Sequence, residues 1–157
     1  MRAAVLTVSD GVTAGTREDL SGDLLAERLS GAGFDLADRR AVPDEADAIE
    51  DALRDLAGSA DLVLTTGGTG FAPRDVTPEA TARVVERATP GLDEHMRTVS
   101  IAVSPHGMLS RGRSGIAGSA LIVNFPGSPK ACAELFDAVA PALDHGLRLL
   151  LDRPTAH

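Results

Sequence analysis

The sequence predicts a parallel α/β sheet covered by helices on both faces. Three observations lead there. Short apolar runs, partly β-branched, at Ala3 to Val8, residues 61–66 and Ala120 to Phe125 read as buried strands. Apolar residues at i, i+4 and i+7, such as Ile49, Leu53 and Leu56, mark amphipathic helices between them. The two patterns alternate, and strands alternating with helices build a parallel sheet with both faces covered. A chain of 157 residues fits one domain, 1–157, with a full core.

Taken in order, Ala3 to Val8 is the first strand, ended by Ser9-Asp10-Gly11, and residues 11–19 read as a polar loop. Ser21 is placed to cap a helix to about Ser30, with Leu24, Leu25 and Leu29 inward and Gly31 and Gly33 stopping it. Phe34 to Val42 is a more polar strand, expected near a sheet edge. Pro43-Asp44 opens a second helix with Asp44 as N-cap. The strand at 61–66 leads to a helix from Pro78 to Ala88, capped by Thr77, with Val84 and Val85 inward and Thr89-Pro90-Gly91 breaking it. Leu92 to Val103 reads as a helix buried through Leu92, Met96 and Val99, followed by a loop at Ser104 to Gly107. Met108 to Arg113 is polar and matches no period. Gly115 to Ser119 reads as a short extra strand before Ala120 to Phe125. Ser128-Pro129 starts the last helix, with Leu135, Phe136 and Val139 inward. Pro141 is expected to kink or restart it, and Leu143, Leu147, Leu150 and Leu151 continue its apolar stripe.

Composition narrows the function. There is no Trp or Tyr, so Ala, Val and Leu build the core, and a stacking platform for nucleic acid is disfavoured. No apolar run approaches the ~20 residues of a membrane span. The N-terminus enters a strand with no basic leader, which points to a cytoplasmic protein. Cys132 stands alone and reads as a small hydrophobe on a helix. The net charge of -8 is uneven: residues 1–60 carry 6 basic and 13 acidic residues, residues 61–130 carry 7 and 6. The motif-bearing part is spared the acidity, which suits a small anion bound locally and not a nucleic acid. Most of the first-half acids read as solvated helix faces.

The chain's most specific stretch is TTGGTGFAPRDVTPEAT, residues 65–81. A buried strand runs into Gly67-Gly68-Thr69-Gly70, then the charge pair Arg74-Asp75, then a helix start. Glycine backbone amides and a helix N-terminus both favour phosphate. Neither the dinucleotide fingerprint G-x-G-x-x-G nor the Gly-Lys-Ser/Thr of a P-loop is present, which disfavours a nucleotide-dependent oxidoreductase. In parallel sheets ligands sit beyond the carboxyl ends of the strands. Ser9-Asp10-Gly11, Pro43-Asp44, Gly67 to Gly70 and Pro126-Gly127-Ser128 should therefore share one edge.

Asp44 and Asp75 are the carboxylates to watch on that edge, since Mg²⁺ commonly takes one or two protein acids plus phosphate oxygens. The residues alone also allow Asp44 to be a plain cap and Asp75 a surface ion-pair partner of Arg74. His106 and His145 lack companions at ligand spacing. Ser110 and Ser128 have no adjacent His or acid for a triad, so a hydrolase is disfavoured.

VSDG at 8–11, PDE at 43–45, TTGGTG at 65–70, RDVTPEAT at 74–81, PG at 90–91, LSRG at 109–112, GS at 118–119 and NFPGSPKA at 124–131 occur in the order seen in one family. Across nearly the whole chain the sequence resembles the molybdopterin-binding family of MogA, MoaB and the adenylyltransferase domain of plant molybdenum-cofactor enzymes. The resemblance implies a three-layer α/β/α sandwich with a mostly parallel central sheet. It implies adenylyl transfer from Mg-ATP to molybdopterin, releasing pyrophosphate, as a step of molybdenum cofactor biosynthesis. By motif, Asp44 and Asp75 match the family's functional aspartates and would hold Mg²⁺. Ser9, Asp10, Gly67, Gly68, Thr69 and Gly70 match its nucleotide and phosphate elements. Ser110, Arg111, Pro126, Gly127, Ser128 and Pro129 match its pterin-side elements. The resemblance further implies a homotrimer, or a hexamer in the MoaB branch, and a MoeA-like molybdenum-insertion partner. The MoaB branch also implies an alternative: molybdopterin binding or assembly without turnover.

Overall fold

The computed structural model describes residues 1–155. Six strands form one sheet in the order β2-β1-β3-β6-β5-β4. They are β1 (Arg2–Val8), β2 (Asp35–Val42), β3 (Leu62–Thr66), β4 (Arg87–Ala88), β5 (Ser114–Ala117) and β6 (Ala120–Phe125). The helices are α1 (Asp10–Thr13), α2 (Leu20–Gly31), α3 (Ala46–Ala57), α4 (Thr77–Val84), α5 (Pro90–Val103) and α6 (Pro129–Leu150). β2, β1, β3 and β6 run parallel, while β5 is antiparallel to both its neighbours. The mostly parallel sheet is as expected, and β2 is an edge strand.

Side-chain alternation explains the layering. Ala3, Val5, Leu62, Leu64, Leu121, Val123 and Phe125 face a core completed by α2, α5 and α6. Ala4, Leu6, Val63 and Ile122 face the opposite core, completed by Ile49, Leu53 and Leu56 of α3 and Ala80 and Val84 of α4. The result is three layers with two cores. β1 connects outward to β2, and the chain returns over β1 to reach β3. The order therefore reverses between β1 and β3, where a crevice opens at the carboxyl ends.

Several local expectations are corrected. Residues 10–13 are a helical turn and not part of a loop, because Ser9 Oγ accepts from the Val12 amide at 3.2 Å. Asp19, not Ser21, caps α2 by accepting from the Gly22 amide at 3.0 Å. Ser21 lies inside the helix and is buried against Thr66. Asp44 is not the cap of α3; that position falls to Glu45, which makes no side-chain cap bond. Val76 precedes α4 and Thr77 is its first residue, its hydroxyl spent on the Gly67 carbonyl at 3.0 Å. α4 stops at Val84 and not at Ala88, because Val85 is extended and Arg87–Ala88 pairs with β5. Pro105–Leu109 is a 3₁₀ helix capped by Ser104, where a loop was expected. Pro141 does not interrupt α6, since packing of Val139, Leu143 and Leu147 on both sides of it holds the helix through the missing bond. Ser128 caps α6 as expected, accepting from the Ala131 amide at 3.4 Å.

Candidate functional site

The carboxyl ends of β1, β3 and β6 enclose a polar cavity of about 570 Å³. Ser9 closes it from β1, Gly67 and Gly68 from β3, and Gly127, Ser128 and Pro129 from β6. Asp44 enters from the loop after β2, and Asp75 from the loop before α4. The N-terminus of the long helix α6 thus lies at the cavity, a place that favours a negatively charged group.

Close backbone approach explains the glycines. Gly67 has φ of 96°, and a Cβ there would stand 2.3 Å from the Val8 carbonyl oxygen. Gly68 has φ of 66°, and its Cβ would stand 2.3 Å from Thr77 Oγ1 and 3.4 Å from Asp44 Oδ1. Only glycine lets β3 turn under β1 and α4 while the Asp44 loop closes over it. The Gly67 amide is tied to Phe125 O at 3.1 Å, and the Gly68 carbonyl accepts from the Thr77 amide at 3.1 Å. Among the described residues, the amides of Gly68, Thr69 and Gly70 make no internal hydrogen bond.

Each aspartate is held by one oxygen. Asp44 Oδ2 accepts from the Asp10 amide at 2.9 Å, and Asp10 Oδ1 accepts in return from the Asp44 amide at 3.0 Å. Asp75 Oδ2 accepts from the Ala72 amide at 2.9 Å. Among the described residues, Asp44 Oδ1 and Asp75 Oδ1 make no hydrogen bond. Two fixed carboxylates, each with an oxygen to spare, line one polar cavity. That donor set fits Mg²⁺, a hard cation that takes few protein ligands and keeps oxygens from phosphate and water.

Charge sharpens the point. The cavity is lined by Glu18, Asp19, Asp44 and Asp75, against one cation, Arg17. The expectation that the site escapes the acidity of the first sixty residues is therefore overturned: three of its four acids come from there. A bare phosphate would meet net negative charge, whereas a divalent cation would offset most of it. Asp19 was missed as a site residue because its cap spacing to Gly22 gives no other signal. It also accepts from the Thr7 hydroxyl at 2.9 Å and from Arg39 at 2.9 Å.

Arg74 does not pair with Asp75. Its guanidinium grips Asp10 with two bonds, Nε to Oδ2 at 2.6 Å and Nη2 to Oδ1 at 2.9 Å. That hydrogen bonding, helped by the Asp44 amide, holds the Asp10 carboxyl below its usual range. Asp10 thus sits beside the cavity, linking three loops. Ser110 lies elsewhere, on a second cavity of about 290 Å³ that it shares with Thr69, Gly70, Pro126 and His106. The glycine loop is the wall between the two cavities. Arg111 faces that wall from behind: its amide donates to Thr69 O at 2.9 Å and its side chain to Gly70 O at 2.8 Å, Asp75 O at 2.6 Å and Glu79.

The chain is similar to known proteins over most of its length. Residues 4–145 match the family model described as a probable molybdopterin binding domain. The chain is 42% identical over 151 residues to a molybdopterin adenylyltransferase of Helicobacter pylori, covering 94% of this chain and 86% of that one. It is 42% identical over 154 residues to the molybdenum cofactor synthesis protein cinnamon of Drosophila melanogaster, of which it spans only 25%. Among solved structures, the molybdopterin biosynthesis enzyme MoaB of Thermus thermophilus superposes with a TM-score of 0.91 at 46% identity, covering 98% of each chain.

Proposed function

The chain belongs to the family of molybdopterin-binding domains, and from that premise we propose that it transfers an adenylyl group from Mg-ATP to molybdopterin in molybdenum cofactor biosynthesis. Residues 1–157 act as one such domain. An oxygen of the pterin's terminal phosphate attacks the α-phosphorus of ATP, and the bond to the departing pyrophosphate breaks. The observation that carries this reading is the joint placement of Asp44, Asp75 and the glycine loop in one cavity beyond β1 and β3.

The chain's own groups act by position. The amides of Gly68, Thr69 and Gly70 and the N-terminus of α6 orient phosphate oxygens. Ser9 offers a hydroxyl beside them, and so does Ser128, which the resemblance assigns to the pterin side but which lines the cavity of Asp44 and Asp75 together with Gly127 and Pro129. Asp44 and Asp75 would hold Mg²⁺, which neutralises phosphate charge when bound. Ser110, with Pro126, receives the pterin in the cavity beside the glycine loop, and the pterin's phosphate end must extend past that loop to reach the nucleotide. Such a site works by holding two anions in line, the main requirement of phosphoryl transfer.

We further propose a cytoplasmic homotrimer, with a MoeA-like molybdenum-insertion protein taking the product. No described helix is long and apolar enough to cross a membrane. The test is incubation of the purified protein with molybdopterin, ATP and Mg²⁺. Adenylylated pterin and pyrophosphate in equal amounts are expected. Tight molybdopterin binding with neither product would instead support a MoaB-type binding protein without turnover.

A further inference from the structure

We propose that Arg111 is a positioning residue that sets Asp75, so that the pterin-side segment governs the metal-nucleotide side. The inference rests on the proposed adenylyl transfer, but its geometry stands apart from it. Resemblance alone places Arg111 against the pterin. The structure turns its guanidinium the other way. Nε donates to the Gly70 carbonyl at 2.8 Å, Nη2 to the Asp75 carbonyl at 2.6 Å, and Nη1 to the Glu79 carboxylate. The backbone amide of the same residue donates to the Thr69 carbonyl at 2.9 Å.

One residue therefore bridges both ends of the loop from Thr69 to Asp75 and the first turn of α4. Each of its three guanidinium nitrogens is engaged with the protein, so the side chain is fixed against the loop and α4. Few other contacts hold this loop. Within it, the Ala72 amide bonds Asp75 Oδ2 and the Asp75 amide bonds Ala72 O, both at 2.9 Å, which closes the turn on itself. Phe71 at its tip is 67% exposed and packs into neither core. Arg74 reaches out only to Asp10. Without the Arg111 bridge, the turn carrying the Asp75 carboxylate is held by the Gly68–Thr77 backbone bond and by the exposed Arg74–Asp10 pair.

The planar guanidinium fork matters here. Lysine would keep the charge but offers donors from a single point, and cannot span Gly70 O, Asp75 O and Glu79 together. Ser110 is the adjoining residue and lines the second cavity. Displacement of Ser110 by a bound ligand is thus passed to Asp75 through one peptide and one side chain.

The experiment compares wild type with Arg111→Lys, Arg111→Ala and Glu79→Gln, which removes one arm of the bridge only. Turnover number, molybdopterin affinity and affinity for Mg²⁺ with a non-hydrolysable ATP analogue are measured on each. Arg111→Lys should lower kcat at least tenfold and weaken Mg-nucleotide binding, with molybdopterin affinity within twofold of wild type. Millimolar methylguanidine should restore part of the turnover of Arg111→Ala, which a general loss of stability would not permit. Glu79→Gln should cost about twofold. Tenfold weaker molybdopterin binding with nucleotide binding unchanged would make Arg111 a pterin contact and overturn the proposal. So would normal kcat in Arg111→Ala. If wild type itself forms no adenylylated pterin, the proposed activity fails separately. The positioning role is then read by amide hydrogen exchange at Ala72, Asp75 and Thr77, whose amides bond Asp75 Oδ2, Ala72 O and Gly68 O; exchange there should quicken in Arg111→Lys, and unchanged protection would sink the proposal.

Discussion

At the scale of single residues, Asp75 and Asp44 reach one cavity by different anchors, and this predicts different costs. Asp75→Asn keeps the Ala72 bond to one side-chain oxygen and changes the charge alone. It should lower single-turnover adenylyl transfer on the order of a hundredfold or more, with a melting temperature close to wild type. Near-normal turnover would overturn the role assigned to it. Asp44→Ala should lower turnover similarly, yet also release the Asp10 amide. Because that contact is exposed, the stability cost should stay within about 1 kcal/mol. A second residue makes a pH prediction. Burial pushes the Cys132 thiol up to about 11 from 9.0, against a smaller opposing effect of its contact with Thr66. The folded state thus holds its proton more tightly than the unfolded chain. The associated stability is fully present below pH 9 and is lost as pH rises through 11, on the order of 2–3 kcal/mol in all. Urea unfolding of wild type and Cys132→Ala at pH 8 and pH 10.5 should show the gap between them narrowing. A constant gap would contradict the raised thiol.

At the scale of elements, β4 is the weakest part of the sheet, and Gly115 decides whether it pairs. Gly115 faces Ala88 across the β4–β5 ladder. A Cβ on it would stand 2.2 Å from Val85 Cγ1 and 2.8 Å from the Arg87 carbonyl oxygen. Gly115→Ala should therefore push β4 off the sheet, costing about 1–3 kcal/mol, while the cavity between β1 and β3 keeps its ligands. Hydrogen exchange should show faster loss at Glu86 and Thr89, whose amides bond Ile116 and Ser114. Unchanged protection there would disprove it. β4 also shows where the sequence stops being legible. Two exposed residues, Arg87 and Ala88, carry no period, so the segment reads as a continuation of α4. α3 is legible because Ile49, Leu53 and Leu56 repeat over twelve residues. The glycine loop, Ser9, Asp44, Asp75 and the Pro126–Pro129 turn were legible as one edge because parallel strands put all their carboxyl ends together. The partners of the charged residues were not legible. Arg74 lies next to Asp75 in sequence but bonds Asp10, and Asp44 looks like a cap but bonds Asp10 instead. These choices follow from how three loops meet in space, which no local pattern encodes.

At the scale of the whole molecule, the proposed trimer needs a surface, and the groove between α5 and α6 is the place to test it. This cavity of about 510 Å³ is walled by Leu92, Ile116, Leu121, Leu143, Leu147 and Leu150. Two small residues of α6, Ala142 and Gly146, open it to solvent, and a Cβ on Gly146 would meet nothing. Leu121, Leu143 and Leu147 are buried at the floor of the groove, while Leu92, Ile116 and Leu150 are only partly buried, and closing it against another copy would remove their remaining apolar area from water. Ala142 is exposed and belongs to neither core, so Ala142→Glu adds a charge at the mouth of the groove without disturbing the monomer's packing. Light scattering at micromolar concentration should give three chain masses for wild type and a shift toward one for Ala142→Glu, with helical content unchanged. A charge buried in an apolar contact costs several kcal/mol, enough to dissociate an assembly of ordinary affinity. Wild type that scatters as a monomer would contradict the trimer. A trimer that tolerates Ala142→Glu would move the interface elsewhere, to the face where Ile101, Val103, Met108 and Leu109 stand exposed beside the 3₁₀ helix.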